Sequence, residues 1–420
     1  MNCTILGPWP FLSGTACYLI LLSATQVFGA DSYIKPKITV SEEYTDNVFD
    51  DLTNKSDFIT RVQPGLLLKY SAPLWDWNLD YAYDYRYYAK GSRAHDSTQN
   101  INGSGLVKII DEKLFLELSD VYSRVSLDVA RNTTNESLFA QQTDQNVSSV
   151  SPYLVLHPSG QMTLKTGYRY TNTWYKDPQA IPNQVHAGFL TSSYEFSPKF
   201  FMTGDYTFSR EIPRRGLTFN RQEAYLGPRY EYADKSFVFA KGGVIATDFD
   251  GGSYQVDPTW NAGLTHTFDT VTANLSTGAT YTADPLGTST LQTSYSASLT
   301  KTLQRGSLTL QGSYVKLSTE STGVVSGNNQ DNNTYSGSLG GTYELLMDLT
   351  GNLGLTYQKY HDLNVDGTTD RYFVDCGLNY NFGRDLTAGL SYKYSDYSSA
   401  VIALDNRRVN RVILEAKKVF

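Results

Sequence analysis

The chain has 420 residues, 40% of them hydrophobic and 18% charged, with a formal net charge of −7. Disorder needs the reverse balance of apolar and charged residues, so the composition excludes a disordered chain. The acidic sum and the lack of any dense Lys/Arg run exclude a basic face for nucleic acid.

In chain order, residues 1–30 read as a secretory signal. An apolar run begins near Ala16 and contains Leu19 to Leu22, and the small residues around Val27 and Gly29 fit a cleavage site after Gly29 or Ala30. No Lys or Arg precedes Lys35, so the positive start is the amino terminus alone. Cys3 and Cys17 fall in this segment, which leaves Cys376 without a partner for an internal disulfide. No later run reaches the roughly 18 apolar residues of a spanning helix. A membrane reading therefore requires a closed barrel.

The body alternates with period two, the strand period. Trp75, Trp77, Leu79, Tyr81, Tyr83, Tyr85 and Tyr87 share one face, while Asp76, Asn78, Asp80, Asp84 and Arg86 share the other. The same pattern recurs around Met162–Tyr170, Val271–Tyr281, Leu349–Tyr357 and Leu386–Tyr394. Short connections such as Ser71–Leu74, Asp111–Lys113 and Gly383–Asp385 take turns with long polar ones, of which Ser126–Gln145 and Ser318–Asn333 are the longest. Outer-membrane barrels take turns in this way. The segments between connections predict an all-β, antiparallel up-and-down transmembrane barrel of about twenty strands, with eighteen as the alternative, over residues 31–420. Its location is then the bacterial outer membrane and its first partner is lipid. Pro64, Pro152, Pro228 and Pro258 lie inside strands and predict bulges or a frayed wall, because Pro removes a ladder hydrogen bond.

The chain ends at Phe420 on the face shared by Val412, Leu414 and Ala416, opposite Arg411, Glu415 and Lys417. A closing strand that ends in an aromatic resembles the signal read by the outer-membrane barrel-assembly machinery, so Phe420, Leu414 and Val412 are candidate assembly residues. Lys418 interrupts the apolar face, as a Lys near a rim can by snorkelling.

The stretch Lys35-Pro36-Lys37-Ile38-Thr39-Val40, then Glu43-Tyr44-Thr45-Asp46-Asn47-Val48-Phe49, Ser56-Asp57-Phe58-Ile59 and Val62-Gln63-Pro64-Gly65-Leu66 resembles the putative β-barrel porin 2 family. That family includes members associated with exosortase/PEP-CTERM exopolysaccharide systems. The resemblance covers roughly the first 40 residues after the signal. It implies an outer-membrane barrel tied to exopolysaccharide secretion, with periplasmic and inner-membrane export components as partners. It carries over no catalytic residue.

A barrel this wide holds an aqueous lumen. Asp76, Asp80, Asp84, Arg86, Lys165, Arg169, Arg229 and Glu231 are the candidate lining residues, either tuning the charge of a pore or merely filling the interior with ion pairs. Outward Tyr would form the aromatic belts, and inward Tyr88 and Tyr225 would stack on sugars or simply pack. The acidic clusters Asp46/Asn47/Asp50/Asp51 and Asp248/Asp250 offer oxygen ligands but match no EF-hand; no metal and no cofactor is expected. G-x-S-x-G, H-E-x-x-H and P-loop motifs are all missing, so an enzyme is not expected. The leading expectation is a porin-like conduit. Its rivals are a plugged structural barrel with surface-contact loops and an outer-membrane hydrolase.

Overall fold

A computed structural model describes residues 31–127, 142–252, 254–282, 289–320, 331–364, 366–401 and 406–420. The signal reading lies outside these residues, as does most of the two longest connections. The first ten strands are β1 (Asp31–Thr45), β2 (Asp57–Ala72), β3 (Trp75–Tyr88), β4 (Asp96–Ile110), β5 (Leu114–Ser126), β6 (Gln142–Ser159), β7 (Met162–Tyr175), β8 (Asn183–Ser197), β9 (Phe200–Pro213) and β10 (Phe219–Ala233). The second ten are β11 (Ser236–Phe249), β12 (Tyr254–Thr267), β13 (Val271–Thr282), β14 (Ser289–Leu303), β15 (Gly306–Glu320), β16 (Asn332–Leu346), β17 (Leu349–Asp362), β18 (Gly367–Gly383), β19 (Leu386–Ser399) and β20 (Arg407–Val419). Each pairs antiparallel with its sequence neighbours, and β20 pairs with β1 from Lys37↔Val419 to Thr45↔Arg411. The sheet therefore closes with no free edge, which is what a strand wall needs in lipid.

Closure sends every second side chain outward. On β10, β13, β15 and β20 the outward set includes Leu226 (62% exposed), Leu275 (51%), Leu310 (54%) and Leu414 (59%). An exposed apolar band that runs around a whole molecule far exceeds the patches soluble proteins tolerate, and hydrocarbon is the solvent that suits it. Aromatic side chains flank the band. The Tyr44 ring lies 5.0 Å from Phe58, Tyr314 4.8 Å from Tyr335 and Tyr357 5.1 Å from Tyr372, each pair tilted, toward the loop rim. At the turn rim, Phe196 lies 5.5 Å from Phe200 and Tyr380 lies 4.6 Å from Phe382. These are the two belts that amphipathic rings form at headgroup level.

The prolines fray the wall without bulging it. Pairing of β2 with β3 skips from Val62↔Tyr85 to Gly65↔Ala82, and that of β10 with β11 skips from Leu226↔Gly242 to Arg229↔Phe239. Register is the same on both sides of each gap, so no extra residue is inserted. The register shifts sit beside short turns instead, for example between Glu231 and Ala233. Glycine accompanies the frays. A Cβ on Gly65 would strike the Tyr81 carbonyl, and one on Gly227 would strike the Ala240 carbonyl. The missing side chain lets the neighbouring backbone close in where Pro gives no hydrogen bond.

Among the described residues there is no central apolar core. Small clusters sit at the loop rim: Val48 with Ile59 and Tyr88, Leu127 with Tyr175 and Ala180, and Leu317 with Tyr360. They narrow that end of the interior and leave the wall below it lined by polar side chains.

Candidate conduit inside the barrel

The interior wall has two unlike sectors. On β18–β20 and β1–β3, and again on β7–β12, inward positions carry charge. On β13–β17, between the rims, the described inward positions are Ser, Thr, Asn, Gln and Gly apart from Val315, and inward charge is confined to the rims, with Glu344 at the turn end and Asp362 at the loop end. Ser296, Ser313, Ser336 and Thr356 of this sector are half-buried and so reach open space. Their hydroxyls link sideways: Ser276 with Ser296 at 2.6 Å, and Thr300 with Thr309 at 3.1 Å.

The charged sector is densest at the seam. Arg61 and Arg86 both hold Asp84 at 2.8 Å, and all three side chains are largely buried. Arg411 of β20 lies 3.7 Å from Glu43 of β1, an ion pair across the closing strands. Further round, Arg371 sits over the Tyr360 ring at 4.4 Å, and Arg407 sits over the Tyr397 ring at 3.8 Å. Arg407 also donates to Asp50 in the β1–β2 loop at 3.0 Å. Stacking spreads each guanidinium over a ring face where water is excluded. Burial of the Asp50 carboxyl raises its pKa above the ordinary value, against the pull of Arg407.

All eight residues expected to line the interior lie on inward faces, but they do not form one site. Asp80 is salt-bridged to Lys37, and Asp84 and Arg86 belong to the seam. Asp76 accepts from Asn78 at 3.2 Å. Arg229 and Glu231 pair with each other at 3.1 Å on β10. Lys165 and Arg169 stand on β7, over the rings of Tyr153 at 3.9 Å and Phe189 at 5.4 Å. Sequence reading missed Arg61, Glu43, Arg221, Arg371 and Arg407. Each has the inward parity of its strand, but parity does not tell which inward charge is buried.

Tyr88 is 1% exposed and packs against Val48 and Ile59, so it is a packing residue. The hydroxyl of Tyr225 accepts from Thr259 at 3.0 Å. The first acidic loop cluster is consumed by protein partners. Asp46 accepts from the Asn410 amide and side chain at 2.8 and 2.6 Å, Asn47 donates to the Arg408 carbonyl at 3.3 Å, and Asp51 accepts from Thr53. In the second cluster, Asp250 pairs with Arg210 at 3.3 Å. Phe420 is exposed on the outer face, and its amide donates to the Pro36 carbonyl at 2.9 Å, so the last residue is still part of the seam. Leu414 and Val412 lie on the same outer face.

No protein-family model matches the chain, and no curated protein sequence matches it. Solved structures do. The FrpB iron transporter of Neisseria meningitidis is 9% identical, with 92% of this chain and 81% of that one covered and a TM-score of 0.51. The ferric-catecholate import receptor Fiu of E. coli K12 is 10% identical, with 91% and 81% covered and a TM-score of 0.51. At such identity the likeness is one of fold. The chain is a closed, twenty-stranded β-barrel with an apolar outer band, and it shares that fold with these two transport proteins.

Proposed function

We propose that this barrel is a passive, porin-like conduit for hydrophilic solutes, and that its cargo is exopolysaccharide handed over by periplasmic and inner-membrane export components. The observation that carries the conduit is the half-exposed polar wall of β13–β17 facing open space. The exopolysaccharide part rests on the resemblance of the Lys35–Leu66 stretch to a family tied to such secretion. In this reading Asp76, Asp80, Lys165, Arg169, Arg229 and Glu231 line the water path, and the Asp84–Arg86 cluster braces the loop rim. Phe420, with Leu414 and Val412, is proposed as the stretch read by the barrel-assembly machinery. Purified protein in a planar bilayer is expected to give steady ionic current. Deleting the gene is expected to lower surface glycan, and unchanged glycan would remove the export role.

The packed loop-rim network favours a second reading, a plugged structural barrel. Persistent absence of current from the intact chain would select it.

A further inference from the structure

We propose that the inward wall of β13–β17 is a binding track for an uncharged, polyhydroxylated chain, a neutral glycan rather than an acidic one. The proposal rests on the conduit reading and adds the substrate class and the place where it binds.

One observation and two properties of hydroxyls and strands carry it. The track covers five consecutive strands and presents hydroxyls and amides with no fixed charge between the rims. A hydroxyl both donates and accepts, so it exchanges a neighbour for a sugar hydroxyl without leaving an unsatisfied group. Same-face positions recur about every 6.7 Å along a strand and about 4.8 Å between strands, so the partners form a grid instead of one tight pocket. A chain can then shift from row to row, each contact being weak.

Away from the track the interior charges are mostly paired, with Lys165 and Arg169 on β7 set instead over the Tyr153 and Phe189 rings. Lys241 pairs with Asp205 at 2.8 Å, Lys393 with Asp375 at 3.2 Å, and Arg221 with Glu211 at 2.9 Å, while Lys37 pairs with Asp80. On the track a carboxylate-bearing glycan would meet no counter-charge, and beside the paired sectors it would have to break these pairs. A neutral chain meets neither cost.

The test uses the full barrel in planar bilayers, with maltohexaose and hexagalacturonate as matched neutral and acidic probes. Maltohexaose is expected to interrupt the current at lower concentration than hexagalacturonate. The double variant Ser276→Ala/Ser296→Ala removes a mutually bonded pair and so leaves no orphan. It is expected to weaken the maltohexaose block by about tenfold, the scale of one to two hydrogen bonds. Thr171→Ala on β7 is expected to leave the block unchanged. Equal block by both sugars, or a double variant that behaves like the parent, overturns the track while the conduit stands. Absence of any current overturns the conduit. Equilibrium binding of the same two sugars to detergent-solubilised parent and double variant then decides the track by the same comparison.

Discussion

Asp50, in the loop after β1, accepts a hydrogen bond at 3.0 Å from Nε of Arg407, the residue that opens β20. The two are 357 positions apart in the chain, and their contact crosses the line along which the sheet closes on itself. Asp46 and Asn47 of the same loop reach Asn410 and the Arg408 carbonyl. The first loop therefore acts as a latch on the last strand.

Breaking the latch from one side leaves a buried carboxylate without its partner. Arg407→Ala should destabilise the barrel by about 3 kcal/mol, the scale for orphaning one member of a buried pair. Equilibrium urea unfolding in detergent or lipid checks it. A change below roughly 0.5 kcal/mol, the scatter of surface substitutions, would mean that the seam does not depend on this contact.

The same pair sets a pH dependence. The Asp50 carboxyl is raised in the fold by burial, with Arg407 pulling against it. Between the ordinary carboxylate value and the raised one, the folded chain binds more protons than the unfolded chain. This group's contribution is thus fully present below its ordinary pKa and is lost as pH rises through the folded value. Asp50→Asn removes the titration. The stability of the parent relative to Asp50→Asn should fall as pH climbs from about 4. A constant difference across that window would contradict it.

Gly227 lies beside Pro228 with the Ala240 carbonyl where its Cβ would stand. Gly227→Ala should cost about 1–3 kcal/mol, as overpacking does. Gly242, with open space around the same point, serves as the comparison and should tolerate Ala. Paired unfolding curves decide it, and equal losses at both sites would show that close approach is not what Gly227 provides.

Much of this was legible in the sequence because side-chain direction in a strand has period two. Trp75 to Tyr87 against Asp76 to Arg86 already separates the two faces of β3, and the rhythm of short and long connections yields the twenty strands. The Pro residues announced disturbed pairing, though not that register would pass through unshifted. The seam was not legible. Glu43 and Arg411, or Asp50 and Arg407, meet only because the first and last strands are neighbours in a closed sheet, and no local pattern encodes that. The acidic residues of the first loop offered oxygen ligands in the sequence but no sign of Asn410 and Arg407, which the closed sheet brings beside them.

Phe420 closes the outer face and is tied by its amide to the Pro36 carbonyl. Its ring is exposed, so Phe420→Ala should hardly change stability after unaided refolding into lipid vesicles. In cells the variant should reach the outer membrane in reduced amount, since the aromatic terminus is proposed to be read during assembly. Surface-fraction blots of both proteins check this. Normal cellular levels would remove the assembly role.

Alternate residues of one strand see hydrocarbon and water. Nitroxide labels placed singly along β17, in a Cys376→Ser background, test it most directly by their collision rates with oxygen and with a water-soluble nickel chelate. Leu353, Leu355 and Tyr357 should favour oxygen, while Asn352, Thr356 and Gln358 should favour the chelate, with period two. Accessibility that fails to alternate along β17, or labels that all report water, would contradict a membrane-spanning barrel.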